Sequence, residues 1–294
     1  MISILFAVLT AVSNGTASVL QRRAAATAPE EDALRFQLLR DLLRRPVWLG
    51  GIAMSIVAAV CQAVALATGP IAIVQPIFVI ELPFTLVLGG LLFHGSRFSR
   101  HVWLAIAAVA VGLALFLMAA APSGGNASVS PGSWPVALLA TGLFLVVTLG
   151  IGLKVHGNAR AAALGLAAAC GYALTAALMK DAMARLDHGA GALFTGWQIY
   201  ATAAMGVGSL FVLQNALQAG SLAASQPMLS IGDALISTSY GVTLFAETLR
   251  TGWWLVPQVL AMGVVLAGCI GLSRSPLADG MAENPSERGV PAAV

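Results

Sequence analysis

The chain predicts an all-α, polytopic membrane helical bundle, and three observations predict it. Hydrophobic residues fill 59% of the 294 positions and charged residues only 9%, with a mean hydropathy of +0.89, far from a soluble globular domain. The apolar residues fall in runs of about 20, the length a helix needs to cross a bilayer. The basic residues collect in alternate connections between those runs, as in cytoplasmic loops.

Nine runs read as spans. The first, Ile2–Gln21, carries Asn14, and the second, Val47–Ala67, carries Cys61 and Gln62. The third, Pro70–Phe93, contains Gln75-Pro76, Glu81 and Pro83. The fourth, Val102–Ala121, holds the small-residue pair Ala108-x3-Gly112, and the fifth, Trp134–Leu153, is uniformly apolar up to Lys154. The sixth, Ala159–Met179, contains Cys170 and Tyr172 and is followed by Lys180 and Arg185, which are expected to snorkel to the interface. The seventh, Gly191–Gln214, holds Trp197, Gln198 and Tyr200. The eighth, Leu222–Phe245, contains Gln226-Pro227, Asp233 and the polar set Ser230, Ser237, Thr238, Ser239 and Tyr240. The ninth, Trp253–Leu272, carries Gly263-x3-Ala267-x3-Gly271 and Cys269. No Cys or His cluster accompanies the cysteines, which read as small packing residues. Stripes of small residues allow close helix approach, and those of the fourth and ninth spans are expected to meet each other or a second copy in a homodimer.

Arg22, Arg23, Arg35, Arg40, Arg44 and Arg45 follow the first span, Arg97 and Arg100 the third, Lys154 and Arg160 the fifth, and Arg274 and Arg288 the ninth, so twelve of the 15 basic residues share one side. This parity predicts a multi-pass plasma-membrane protein with its N-terminus outside and its C-terminus cytoplasmic. The net charge of +3 is then an orientation signal, and there is no basic patch for nucleic acid. The first span has no Lys or Arg ahead of it, which favours a span over a cleaved signal peptide. Residues 30–45 alternate leucines with arginines and predict a helix lying on the cytoplasmic leaflet.

An internal repeat organises the spans. With a shift of 151, Gln75-Pro76 falls on Gln226-Pro227, Trp103 on Trp254 and Gly112 on Gly263; with a shift of 158, Asn14 falls on Tyr172. The domains are therefore residues 1–121 (first four-helix repeat), 122–158 (linker with the fifth span), 159–272 (second repeat) and 273–294 (a disordered tail). An odd number of crossings between the repeats inverts one against the other, and such inverted 4+1+4 arrangements place substrate near mid-depth.

Glu81 and Asp233 lie midway along their spans at nearly equivalent repeat positions. A carboxylate at the centre of a membrane helix costs about 3 kcal/mol on insertion scales, so a pair in matching places predicts a site for a cation, a proton or a cationic solute. Pro76 and Pro227 each remove a backbone hydrogen bond nearby and free carbonyls, or they kink the helix for packing alone. Asn14, Tyr172, Gln75 and Gln226 are the expected companions of the acids, and Gln62, Trp197, Gln198 and Tyr200 further candidates.

At the Gln-Pro repeats the chain resembles the drug/metabolite transporter superfamily, over roughly Met1–Arg274. Within it, the nine-span layout and Gln214-Asn215-Ala216-Leu217 followed by Gln226-Pro227 are similar to NIPA-like magnesium transporters. The paired four-span units also look like a fused antiparallel pair of small multidrug resistance proteins, and most members of the superfamily, including the EamA-type branch, have ten spans. The resemblance implies transport of a small solute by alternating access, commonly coupled to protons. Competition between proton and cargo for one carboxyl is a sufficient coupling rule. If the cargo is magnesium, Glu81 and Asp233 are its expected ligands, with waters completing the shell. Two other readings of the same residues are a channel-like magnesium permease and a non-transporting scaffold in which the acids pair with hydroxyls between helices. No metal-ligand spacing, nucleophile motif or phosphate-binding loop marks an enzyme or a cofactor.

Overall fold

The computed structural model describes residues 1–26, 46–93 and 99–275. The expected surface helix at 30–45, Arg97 and all but the start of the expected tail lie outside those residues. In chain order the helices are α1 (Ile2–Ala26), α2 (Pro46–Thr68), α3 (Ile71–Ile77), α4 (Glu81–Phe93), α5 (Arg100–Ala120), α6 (Trp134–Lys154), α7 (Gly157–Ala184), the short α8 (Ala190–Thr195), α9 (Trp197–Ala219), α10 (Leu222–Leu244) and α11 (Leu255–Ser273).

Among the described residues, eight helical stretches are long and apolar enough to cross a membrane, α3 and α4 together forming one of them. The eighth expected span, α10, has the length at 23 residues but not the hydropathy. Gln226, Ser230, Asp233 and the polar run from Ser237 to Tyr240 lower it. The fold shows why these residues are tolerated: α10 packs against α3, α7 and α11, so protein rather than lipid meets much of its surface.

Three other boundaries differ from those expected. The third span is not one helix, because a 3-10 turn, Phe78–Ile80, separates α3 from α4. Pro76 lies inside α3 and Pro83 near the start of α4, and each withholds a backbone donor. The sixth span runs on to Ala184, so Lys180 and Asp181 belong to the helix rather than to its exit. The seventh span starts at Trp197 because Gly196, in extended conformation, breaks it from α8.

α7 is the central post. Of the apolar stretch in Gly157–His188, 67% is buried, against 17% in Pro131–Lys154. Its small residues allow this. A side chain at Gly165 would strike the backbone of Ser225 on α10, and one at Gly171 would strike Ser209 on α9. The pairings fall into two matching sets: α1 lies along α2 as α7 lies along α9, and α1 packs on α4 as α7 packs on α10. α5 and α11 join the sets.

The stripes of α5 and α11 meet within the chain. Gly112 admits Ala261 and Val265, and Gly268 admits Ala105 and Val109, while Gly263 faces open space. Gly112 and Gly263, the repeat partners, therefore do not touch. A two-residue antiparallel pairing, Ser123–Gly124 with Glu247–Thr248, ties the loop after α5 to the loop after α10. The Arg250 amide donates to the Ala120 carbonyl at 2.9 Å beside it.

A graded packing effect follows. Gly268→Leu forces a side chain into the Val109 backbone and is expected to cost about 1–3 kcal/mol or more, seen as a lower melting temperature in detergent. Gly263→Leu meets no neighbour and leaves the melting temperature nearly unchanged.

Candidate functional site

The two acids come together from opposite halves of the chain. Glu81 opens α4 directly after the 3-10 turn, and Asp233 lies midway along α10. They sit within electrostatic reach of one another, and the Tyr172 hydroxyl is within reach of both. Asn14, on α1, donates from Nδ2 to Glu81 Oε2 at 2.8 Å. Close approach of α1 and α4 makes this contact feasible, since Gly15 leaves room for Phe84 and Thr85. Ser237, one turn after Asp233, donates to its Oδ1 at 3.2 Å. Gly232 plays the matching part on α10, where Leu166 and Ala169 of α7 fill the space a side chain would take.

Asn14, Glu81, Tyr172 and Asp233 are all half-buried. A neutral amide donor on one carboxylate and a hydroxyl on the other leave acceptor capacity on both. Such a pair can hold protons or a cation between them. The expected polar face around Asp233 is narrower than its composition suggested: Thr238 and Ser239 donate to the carbonyls of Ala234 and Leu235 on their own helix.

The Gln-Pro motifs are not equivalent. Gln75 is 2% exposed, and its amide nitrogen has no hydrogen-bond partner, whereas Gln226 is half-buried. Thr85, one turn beyond Glu81, also carries an unpartnered hydroxyl. Gln198, Trp197 and Tyr200 lie apart from the acids: Gln198 donates to Asp181, Trp197 meets the edge of Trp134, and Tyr200 donates to the Phe194 carbonyl. Among the described residues, no three His, Cys, Asp or Glu side chains are grouped to hold a metal ion.

Two buried networks escaped the sequence reading. In the first, Lys180 does not snorkel: it is 6% exposed and pairs with Glu247 at 3.0 Å. Its ammonium also donates to the Gly69 carbonyl at 2.8 Å and lies 5.0 Å from the Phe245 ring centre. Glu247 in turn accepts the amides of Ile71 at 2.6 Å and Ala72 at 2.9 Å, capping α3, whose own N-cap is a proline. In the second, Asp181 accepts from the Val129 amide at 2.8 Å, Trp134 Nε1 at 3.0 Å and Gln198 Nε2 at 3.0 Å. The adjacent Lys-Asp pair at the end of an apolar run was the available signal.

Clefts of about 820 Å3, beside Asp181, Trp134 and Trp197, and about 420 Å3, beside Lys180 and Gly69, open at this end of the bundle. Neither is lined by Glu81 or Asp233. Asp181→Ala strands three donors, each costing about 1–3 kcal/mol when buried and unpaired. The variant is expected to unfold at markedly lower temperature and to shift the tryptophan emission, because Trp134 loses its acceptor.

A protein of Corynebacterium glutamicum described as uncharacterized is 28% identical over 280 residues, covering 94% of this chain and 96% of its own. No family model matches the chain, and no solved structure does.

Proposed function

We propose that the protein is a secondary transporter that moves a small solute or cation by alternating access, coupled to protons through Glu81 and Asp233. The observation that carries this reading is a pair of half-buried carboxylates, from sequence-distant halves, within electrostatic reach of each other inside an apolar helical bundle. Ionisable groups in that position are costly and mark solute or proton pathways. The broken third span supports it, because discontinuous helices beside a central site are the usual source of both binding groups and mobility in transporters.

The inverted 4+1+4 repeat belongs to the same reading. With α10 counted as a crossing, nine in all, the two matching sets of helix pairings relate α1, α2, α3–α4 and α5 to α7, α9, α10 and α11. The resemblance to the drug/metabolite transporter superfamily is part of this proposal, as are the plasma-membrane location and the cytoplasmic C-terminus. Two acids with amide and hydroxyl companions suit an exchangeable proton, an organic cation or a hydrated magnesium ion; among the described residues no third His, Cys, Asp or Glu joins them in a closed metal cage.

Purified protein in liposomes carrying a trapped pH dye tests the idea, with a panel of organic cations, magnesium and neutral metabolites added in turn. At least one solute is expected to drive proton movement, and Glu81→Gln or Asp233→Asn to reduce it by about tenfold or more while both variants still fold. Undiminished flux in both variants would overturn the assignment.

A further inference from the structure

The end of the bundle where α3 begins is held shut by a buried ion pair. Where α3 begins, the Glu247 carboxylate holds the Ile71 and Ala72 amides and the Lys180 ammonium, all buried. Where α10 begins, at the opposite end of α7, the Ser221 amide donates to Asn158 Oδ1 at 3.0 Å in an exposed contact. The glutamines below these two helix starts differ in burial, Gln75 being sealed and Gln226 half-buried. A cleft of about 420 Å3, bordered by Gly69, Pro70, Gly124, Asn126 and Asp187, runs in at the Glu247 end and reaches Lys180.

We propose that the Lys180–Glu247 pair is the closure of the transport path at this end. The path from the cleft to Gln75 and on to Glu81 opens when the amides of Ile71 and Ala72 leave Glu247. The proposal rests on the transporter reading of Glu81 and Asp233.

Three features make the contact a switchable one. Glu247 sits on the paired loop after α10 and Lys180 on α7, so the carboxylate keeps a cationic partner after α3 departs and no lone charge is left buried. The cleft is lined by Pro70, next to Ile71 in the chain, and by Lys180, so amides leaving Glu247 can turn toward water rather than be stranded. The 3-10 turn Phe78–Ile80, between Pro76 and Pro83, lets α3 tilt while α4 stays packed on α1. An apolar fastener in this place would leave the Ile71 and Ala72 amides without an acceptor in any arrangement. An ion pair facing a wet cleft can instead exist in both a capped and a hydrated arrangement.

The test needs no knowledge of the cargo. The full chain carries Cys61→Ala, Cys170→Ala and Gln75→Cys, with Cys269, itself 0% exposed, kept as a buried reference. A membrane-impermeant maleimide is applied to each face of the membrane separately. Lys180→Met with Glu247→Gln removes both charges, so the double variant keeps no orphan ion and remains folded. In it, the labelling rate of the thiol at position 75 is expected to rise about tenfold or more, from one face only, with Cys269 silent. Glu247→Gln alone is expected to act in the same direction. An unchanged rate at position 75 in the folded double variant overturns the closure, and so does an equal rise at Cys269 or from both faces. A wild type that drives no flux overturns the transport reading instead, so the two failures are separable.

Discussion

A carboxylate from near the end of the chain, Glu247, holds the start of the helix that leads to Glu81. α3 has only seven residues, begins after a proline and contains another, so it cannot satisfy its first amides alone. Buried as they are on Glu247, those amides do not meet water in this arrangement, and each left unpaired would cost several kcal/mol. Glu247 supplies the missing acceptor and Lys180 balances its charge. Removing one member of such a buried pair typically costs about 3–5 kcal/mol. The position of α3, the first half of the third span, depends on this contact.

The polar groups of the bundle differ in how completely they are spent. Asp181 accepts three hydrogen bonds from a loop and two helices and acts as a junction. Glu247 is likewise committed, to two amides and an ammonium. Glu81 and Asp233 are not: one amide and one hydroxyl reach them, and both keep part of their surface open. Fully satisfied networks rigidify a core, while unsatisfied ones invite a ligand. That contrast, more than the presence of charge, separates the candidate site from the framework around it.

Much of the helical framework was legible because apolar run length and loop charge report directly on the surrounding solvent. Glu81 and Asp233 stood out for the same reason, as charges inside apolar runs. The role of Lys180 did not, because a lysine at the end of such a run has one signature whether it reaches outward or inward. Only its partner decides, and Glu247 lies 67 positions away in a connection that reads as ordinary polar loop. α10 reads as an apolar run like the other spans, although its hydropathy falls below theirs, and its neighbours, not its composition, explain its polar residues. The unequal burial of Gln75 and Gln226 was beyond reach for a different reason. A repeat makes two positions look alike, and a single conformation need not treat them alike.

α6 leans chiefly on α7 and leaves Leu139, Val146 and Leu153 more than two-thirds exposed. Those side chains have no protein partner to fit, so greasiness alone constrains them, and Leu, Ile, Val or Phe would serve interchangeably. Evolutionary drift should therefore run fastest along this flank and slowest along the α7 faces that carry Gly165, Gly171 and Tyr172. A substitution map of the chain's descendants would trace the lipid boundary by its noise.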